Sequence, residues 1–140
     1  MGTNIIAATG ADAGFIAPKR PRILDLSEDY RGYFYDSLMM IDTQKWEAYQ
    51  TTEKVMAYLA ENNRKINFEM NALNVILQGE CSFLAPFHHY VPPTEYTQVN
   101  IPDDIIFLHY AEDKPWTKWC EYPLKRFCMR YMDISPWGGK

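Results

Sequence analysis

The sequence predicts an α/β fold built as one continuous unit, and three observations carry that prediction. Short apolar runs between turn residues recur at Ile5-Ile6-Ala7-Ala8, Leu38-Met39-Met40-Ile41 and Ile105-Ile106-Phe107-Leu108. Runs of this length read as strands covered on both faces, as in parallel sheets. Between the second and third lie stretches whose apolar residues recur at helical spacing. No internal repeat or low-complexity linker divides the 140 residues, a length that suits one domain with its own core.

Taken in order, Ile5 to Ala8 is a strand that empties into the loop Thr9-Gly10-Ala11-Asp12-Ala13-Gly14. Pro18-Lys19-Arg20-Pro21-Arg22 is a basic, proline-broken connection whose plain reading is a solvated loop. Neither a glycine-rich cradle nor a helix start accompanies Lys19, Arg20 and Arg22 to make a phosphate site of them. Tyr33 to Asp42 is the second strand, apolar enough from Leu38 to Ile41 to be central. Asp42-Thr43 then caps a short helix bearing Trp46. Thr51 or Thr52 opens a longer helix, with Val55, Met56 and Leu59 on its apolar face and Glu53, Lys54 and Asn62 towards solvent, and Asn62-Asn63-Arg64-Lys65 ends it.

Glu69 to Leu77 is a further helix with Met70, Leu73 and Leu77 on one stripe, Glu69 favourably placed against the dipole in its first turn, and Gly79 as its stop. Ser82-Phe83-Leu84 is a short strand, and Pro86 to Pro102, with Tyr90, Pro92-Pro93 and Tyr96, is a loop. Behind the turn signal Pro102-Asp103-Asp104, Ile105 to Tyr110 reads as a buried strand ending at His109 and followed, through a charged turn, by Lys114-Pro115-Trp116. Ligands of α/β sheets gather at the carboxyl ends of strands, so this imidazole and this ammonium are placed to converge on one anionic or metal-bound ligand. From Thr117 to about Met132 basic and aromatic residues alternate. Pro123 is expected to break this segment into two short helices or to restart one, and Ser135-Pro136-Trp137 stops it.

Composition narrows the function classes. With 47% hydrophobic and 23% charged residues, the chain is of globular rather than disordered type. No apolar run approaches the roughly 18 residues that span a bilayer. Met1-Gly2-Thr3-Asn4 lacks a basic region ahead of its apolar residues, so it does not read as a signal peptide, and it does not fit the myristoylation pattern. Cys81, Cys120 and Cys128 are odd in number and widely spaced, which argues against a disulfide framework and for the reducing cytosol. Cys81, His88 and His89 lack the paired spacing of a zinc site, and read instead as a buried thiol and loop histidines.

The net charge of −4 is uneven: residues 114–140 hold six basic side chains against two acidic ones, leaving −8 on the remainder. That aromatic-basic tail suits an anionic membrane surface, where Lys and Arg are attracted and Trp and Tyr favour the interface. It equally suits a terminal helix packed on the domain with its charges in water. An acidic body without a recognition motif speaks against nucleic acid as a partner.

Several short motifs follow one another in a telling order. Tyr33-Phe34 leads into an apolar strand; Ile41-Asp42-Thr43-Gln44-Lys45-Trp46 turns into a helix; Ala72-Leu73-Asn74-Val75-Ile76-Leu77-Gln78-Gly79 ends one. His109-Tyr110 is followed by Lys114-Pro115-Trp116, and Tyr122-Pro123 by Ser135-Pro136-Trp137. From Ile5 to Trp137 this order resembles the carboxyl-terminal half of family 8 glycosyltransferases, most of all the bacterial lipopolysaccharide core hexosyltransferases. The resemblance implies a partial nucleotide-sugar transferase fold, Rossmann-like and of the glycosyltransferase A type, with a C-terminal helical extension. Residues 1–110 would be the C-terminal part of the catalytic domain and 111–140 the helical segment.

The same resemblance implies a retaining transfer of a hexose, glucose or galactose, from a UDP-sugar donor to a lipopolysaccharide core acceptor, at the inner face of the bacterial inner membrane. It makes His109 a ligand of Mn²⁺ (or Mg²⁺) beside an Asp-x-Asp pair, sets Lys114 on the donor diphosphate, places Tyr35, Asp36 and Trp116 at the donor, and puts Glu69 and Asn71 at the catalytic positions. Carboxylates and imidazole suit that ion, and ion plus lysine would stabilise charge on departing UDP. Read without the family, His109 is more simply a hydrogen-bonded histidine at a strand end, Glu69 a helix-first-turn carboxylate, and Glu112 and Asp113 an exposed turn rather than substitute metal ligands.

The chain departs from the family pattern at several points. It contains no Asp-x-Asp. Tyr35 and Ser37 stand where the family has asparagine and glycine, Glu69-Met70-Asn71 where it has Asp-Gln-Asp, and Glu112 where it has a glycine. Glu112 sets a negative charge beside a diphosphate position, where like charges repel. These departures imply a chain inactive alone, completed by an N-terminal half or a second copy on an exposed sheet edge, or else a non-catalytic remnant that binds a partner or a membrane.

Overall fold

The computed structural model describes residues 2–11, 25–26, 32–62, 69–91, 104–110, 114–121, 124–136 and 138. The chain forms two compact units, Met1–Pro86 and Phe87–Lys140. The expectations for Asp12 to Gly14, Pro18 to Arg22, Asn63 to Lys65, Pro92 to Asp103, Glu112 and Asp113, Tyr122-Pro123 and Trp137 lie outside the described residues.

In the first unit, strand β1 (Ile6–Gly10) pairs antiparallel with β2 (Phe34–Ile41) and parallel with β3 (Cys81–Leu84), giving the order β2-β1-β3. The expected first strand thus extends through Thr9 and Gly10. Four consecutive residues of β1, Ile6 to Thr9, are buried, as a strand covered on both faces requires. The β1–β2 register shifts between Ala8 and Gly10, where a side chain at Gly10 would meet the Phe83 ring at 3.3 Å. Among the described residues β2 is an edge strand rather than the expected central one, and Met40 and Ile41 are exposed. Apolar composition alone therefore did not identify the strand with neighbours on both sides.

Helix α1 (Thr43–Ala48) starts as expected at Asp42, whose carboxylate accepts from the Lys45 backbone N–H at 3.1 Å. That hydrogen bond holds the Asp42 carboxyl below the usual carboxylate range. The Lys45 ammonium pairs with Asp42 at 3.3 Å and reaches the carbonyls of Gly2 and Asn4. Gln50, at φ 55, turns the chain into α2 (Thr51–Asn62), and the Trp46 indole N–H donates to Thr52 Oγ1 at 2.9 Å. Val55 of α2 is buried, but Met56, expected on the same apolar face, is 62% exposed. Successive residues on a helix lie about 100° apart, and the face that packs here takes Val55, Tyr58 and Leu59.

Helix α3 (Glu69–Ile76) ends at the expected glycine, Gly79, in the left-handed conformation at φ 84. Leu77, Ile5, Ile6, Ala8, Phe34 and Cys81 form the main core, against which Leu73, Trp46 and Tyr49 pack. Leu26 and Tyr33 make a second cluster with Tyr58, Leu59 and Met70.

The second unit corrects one expectation and decides another. Residues 105–110 form no strand; a single parallel bridge joins Tyr90 to Leu108, and Ile106 and Phe107 are 58% and 53% exposed. A short apolar run is compatible with a strand but does not supply the neighbouring chain that makes one. Of the two alternatives for 117–132, two short helices or one restarted at Pro123, the described residues give a double turn followed by one helix. Thr117 N–H bonds Lys114 O at 2.9 Å, Cys120 N–H bonds Thr117 O at 3.3 Å, and α4 (Lys125–Ile134) follows, stopped at Ser135 as expected. Lys125 secures the double turn by donating to the carbonyls of Thr117 and Cys120. A small core of Cys120 and Leu124 takes in Leu108, Tyr110 and Phe127. None of the helices among the described residues is long and apolar enough to cross a membrane.

Candidate functional site

The seven residues singled out from the sequence divide between the two units. In the first, Tyr35 and Asp36 lie partly buried on β2, while Glu69 and Asn71 lie in the first turn of α3. An asparagine the sequence reading passed over holds that helix to that strand. Asn74, fully buried, accepts from the Phe34 N–H at 2.8 Å and donates to the Phe34 and Met70 carbonyls, each at 2.9 Å. Three residues earlier on the same face, Asn71 is buried and its Oδ1 accepts from the Tyr33 hydroxyl. The Tyr33 contact fixes the amide's orientation, and a neutral amide so held is suited to hydrogen bonding rather than to proton transfer. Glu69, two residues before Asn71, is exposed. The signal for Asn74 was available in the sequence, as a polar side chain inside the apolar run Ala72 to Leu77.

In the second unit, His109 leaves the bridge beside Leu108, its backbone N–H bonded to Tyr90 O at 2.9 Å. Its Nδ1 lies 3.0 Å from Nε2 of His89, which is buried. Burial first, and then the nearby charge of His109, hold the His89 pKa below the ordinary histidine range. The sequence reading weighed His89 only as a loop histidine or zinc ligand; spacing gave no sign that it would meet a residue twenty positions on. Lys114 is partly buried and its ammonium donates to Tyr110 O at 2.6 Å. The Tyr110 hydroxyl in turn donates to Leu124 O at 2.7 Å, and burial above all raises its pKa. Pro115 is buried beneath the turn, while Trp116 is 62% and Trp119 74% exposed.

A divalent ion fits the chemistry of His109, whose Nε2 is the ring nitrogen not engaged by His89. Among the described residues no group of three or more His, Cys, Asp or Glu side chains stands together to complete a ligand set.

The family profile of glycosyl transferase family 8 matches residues 2–120. The chain belongs to glycosyl transferase family 8. This family 8 chain is 29% identical over 129 residues to the lipopolysaccharide glucosyltransferase WaaO of Escherichia coli (strain K12), covering 85% of the chain and 38% of that relative. It is 28% identical over 116 residues to the lipopolysaccharide 1,2-glucosyltransferase of the same organism, covering 75% of the chain and 34% of the relative. It thus spans little more than a third of the length of these relatives.

Among solved structures, it matches the galactosyltransferase LgtC in complex with donor and acceptor sugar analogs. The TM-score is 0.75 at 14% identity, over 92% of the chain and 51% of LgtC. An active-site mutant of LgtC matches with a TM-score of 0.72 at 15% identity. At that identity the likeness shows the fold alone, and the fold is part of the glycosyltransferase A type, mixed α/β with a C-terminal helix.

Proposed function

We propose that this family 8 chain is the C-terminal portion of a retaining hexosyltransferase that uses a UDP-sugar, UDP-glucose or UDP-galactose, and a lipopolysaccharide core acceptor. The observation that carries the reading is the family match over residues 2–120, with two lipopolysaccharide glucosyltransferases among its relatives. In this reading His109 binds Mn²⁺ or Mg²⁺, Lys114 meets the donor diphosphate, Tyr35, Asp36 and Trp116 line the donor, and Glu69 and Asn71 flank the transferred sugar. The ion would supply charge neutralisation at the departing diphosphate. Lys114 would add a point charge there after exchanging its bond to Tyr110 O for a phosphate oxygen. The protein would act in the cytoplasm, on the inner face of the inner membrane, with residues 114–140 towards anionic lipid.

The chain's 140 residues contain no Asp-x-Asp, and on that ground it is assigned no activity by itself. A second reading, a non-catalytic module that binds a partner or a membrane, is favoured by the same absence and by the exposed Tyr131 and Ile134 on α4. The test measures UDP release from UDP-glucose and UDP-galactose with Mn²⁺, for the chain alone and after co-expression with the part of WaaO preceding the matched segment. The first reading expects no release alone, release on co-expression, and its loss in His109→Ala. Release by the chain alone, abolished in His109→Ala, would refute the assigned inactivity. No release on co-expression, with the two parts bound to each other, would favour the second reading.

A further inference from the structure

Lys114 lies in a segment that the start of α4 grips at two points. At one, the Tyr110 hydroxyl donates to Leu124 O at 2.7 Å, and the carbonyl of that same Tyr110 accepts from the Lys114 ammonium at 2.6 Å. At the other, the Lys125 ammonium donates to Thr117 O at 2.9 Å and to Cys120 O at 3.3 Å. Between these points the double turn closes on itself. Lys114 O accepts from both the N–H and the hydroxyl of Thr117, at 2.9 and 2.8 Å, and Thr117 O accepts from both the Cys120 N–H and Lys125. A carbonyl oxygen has two lone pairs, so these two are fully used. Every bond in this network has a fixed direction, because each acceptor is a carbonyl.

Lys125 is an unfavourable residue for its place in the helix. It opens α4, whose first turn holds no acidic side chain and whose N-cap, Leu124, makes no side-chain cap bond. A cation there faces the positive end of the helix dipole. Helix stability therefore does not account for Lys125, and its partly buried side chain is turned onto the carbonyls of the double turn instead. We propose that Lys125 is a positioning residue for Lys114: by clamping the double turn to the start of α4, it fixes the Lys114 backbone relative to Tyr110 and so sets where the Lys114 ammonium is held. A charge already held in place loses little freedom when it takes up a ligand oxygen. That the ligand is a diphosphate rests on the proposed transferase reading; the clamp does not.

The test is competitive acetylation of the full chain with trace acetic anhydride. The rate at Lys114 is read by mass spectrometry against Lys45 and Lys54 of the first unit, and amide exchange is followed alongside. A side chain held in a closed turn reacts in proportion to the time the turn spends open. Lys125→Met keeps an unbranched side chain and removes the donor. It should raise the relative Lys114 rate roughly fivefold, the worth of one hydrogen bond. Exchange at Thr117 and Cys120 should quicken, while the amides of α4 hold steady or slow, since an unfavourable charge has left the helix start. Lys125→Arg, which can still donate to two carbonyls, should restore most of the protection. A purely structural role within α4 would instead move the α4 amides and leave the relative Lys114 rate where it was.

The inference is overturned if Lys125→Met, folded by its NMR spectrum, leaves the relative Lys114 rate unchanged. Should that variant not fold, Thr117→Val decides. It removes the hydroxyl link between the clamped turn and Lys114 O, and an unchanged Lys114 rate overturns the inference equally. Protection of Lys114 by UDP-glucose or UDP-galactose in the co-expressed assembly is read separately. Its absence, beside the faster Lys114 acetylation in Lys125→Met, would remove Lys114 from the diphosphate and leave the positioning role of Lys125 standing.

Discussion

The two units hold their candidate residues by different means. In Met1–Pro86 a fully buried asparagine, Asn74, bonds backbone to helix, and a continuous core of Ile6, Phe34 and Leu77 closes around it. Among the described residues of Phe87–Lys140 the corresponding holding is done by one bridge, a double turn and a core around Cys120 and Leu124. A helix-and-sheet scaffold holds Asn71 on a helix packed against the sheet, whereas His109 lies beside a single bridge, bonded to Tyr90 O and facing His89. Local stability follows the number of buried apolar contacts and protected hydrogen bonds. Amide exchange is therefore expected to be slowest at Ile6 and Ala8 and much faster at Ile106 and His109.

The sharpest way to break that contrast is Asn74→Ala. It removes three hydrogen bonds and leaves the Phe34 N–H and C=O without them in a buried site, an expected loss of about 3 kcal/mol. Urea unfolding followed by NMR should show the loss at the resonances of β1 and β2. Leu124→Ala is the counterpart in the second unit, and in so small a core its cost should sit near the low end of the range for such truncations, about 2 kcal/mol. Its effect should appear at Tyr110 and Phe127. Were either substitution to lower the midpoint of both sets of resonances equally, the two units would be one cooperative body and the contrast would fall.

How much of this was legible beforehand follows the same division. Residues whose structure is set by near neighbours were readable: Asp42 capping α1, Gly79 ending α3, Ser135 ending α4, and the buried run Ile6 to Ala8. Each rests on a rule acting over a few residues. The errors fell where a distant partner decides. Ile106 and Phe107 have strand composition but, among the described residues, no strand beside them, and Met56 sits one helical step off the face that packs. For the candidate site, short motifs identified the family and nominated His109 and Lys114. The contacts Tyr33–Asn71 and His89–His109 join positions tens of residues apart, and no local periodicity reports them.

A smaller effect separates function from stability within the second unit. Lys114 donates to Tyr110 O, a carbonyl that water can reach in its place once the side chain is removed. Lys114→Ala should change stability by no more than about 0.5 kcal/mol. In the co-expressed assembly it should nonetheless weaken UDP-sugar binding, which titration calorimetry would detect. A large loss of stability in the isolated chain would instead make Lys114 a structural brace of its turn.

The smallest expected effect concerns a tether in the first unit. Tyr58 of α2 donates to Asp25 Oδ2 at 3.0 Å, and Asp25 adopts a left-handed conformation, φ 52, that aspartate tolerates better than most residues. Burial first, then the hydrogen bond and the charge of Asp25, push the Tyr58 pKa up to about 12 from its ordinary 10. A folded-state pKa raised above the unfolded one means that the protonated phenol is the form folding favours. The contribution is therefore complete below pH 10 and is lost as pH rises through 12. Because Tyr58 is only partly buried, solvent screens the pair and the contribution is small. Urea unfolding of wild type and Tyr58→Phe should differ most at pH 8 to 9 and converge towards pH 12. Asp25→Asn keeps an acceptor but removes the charge, so it should lower the pH at which convergence is complete. Parallel curves over the whole range would show that the tether adds nothing to the first unit, leaving its stability to the core and to Asn74.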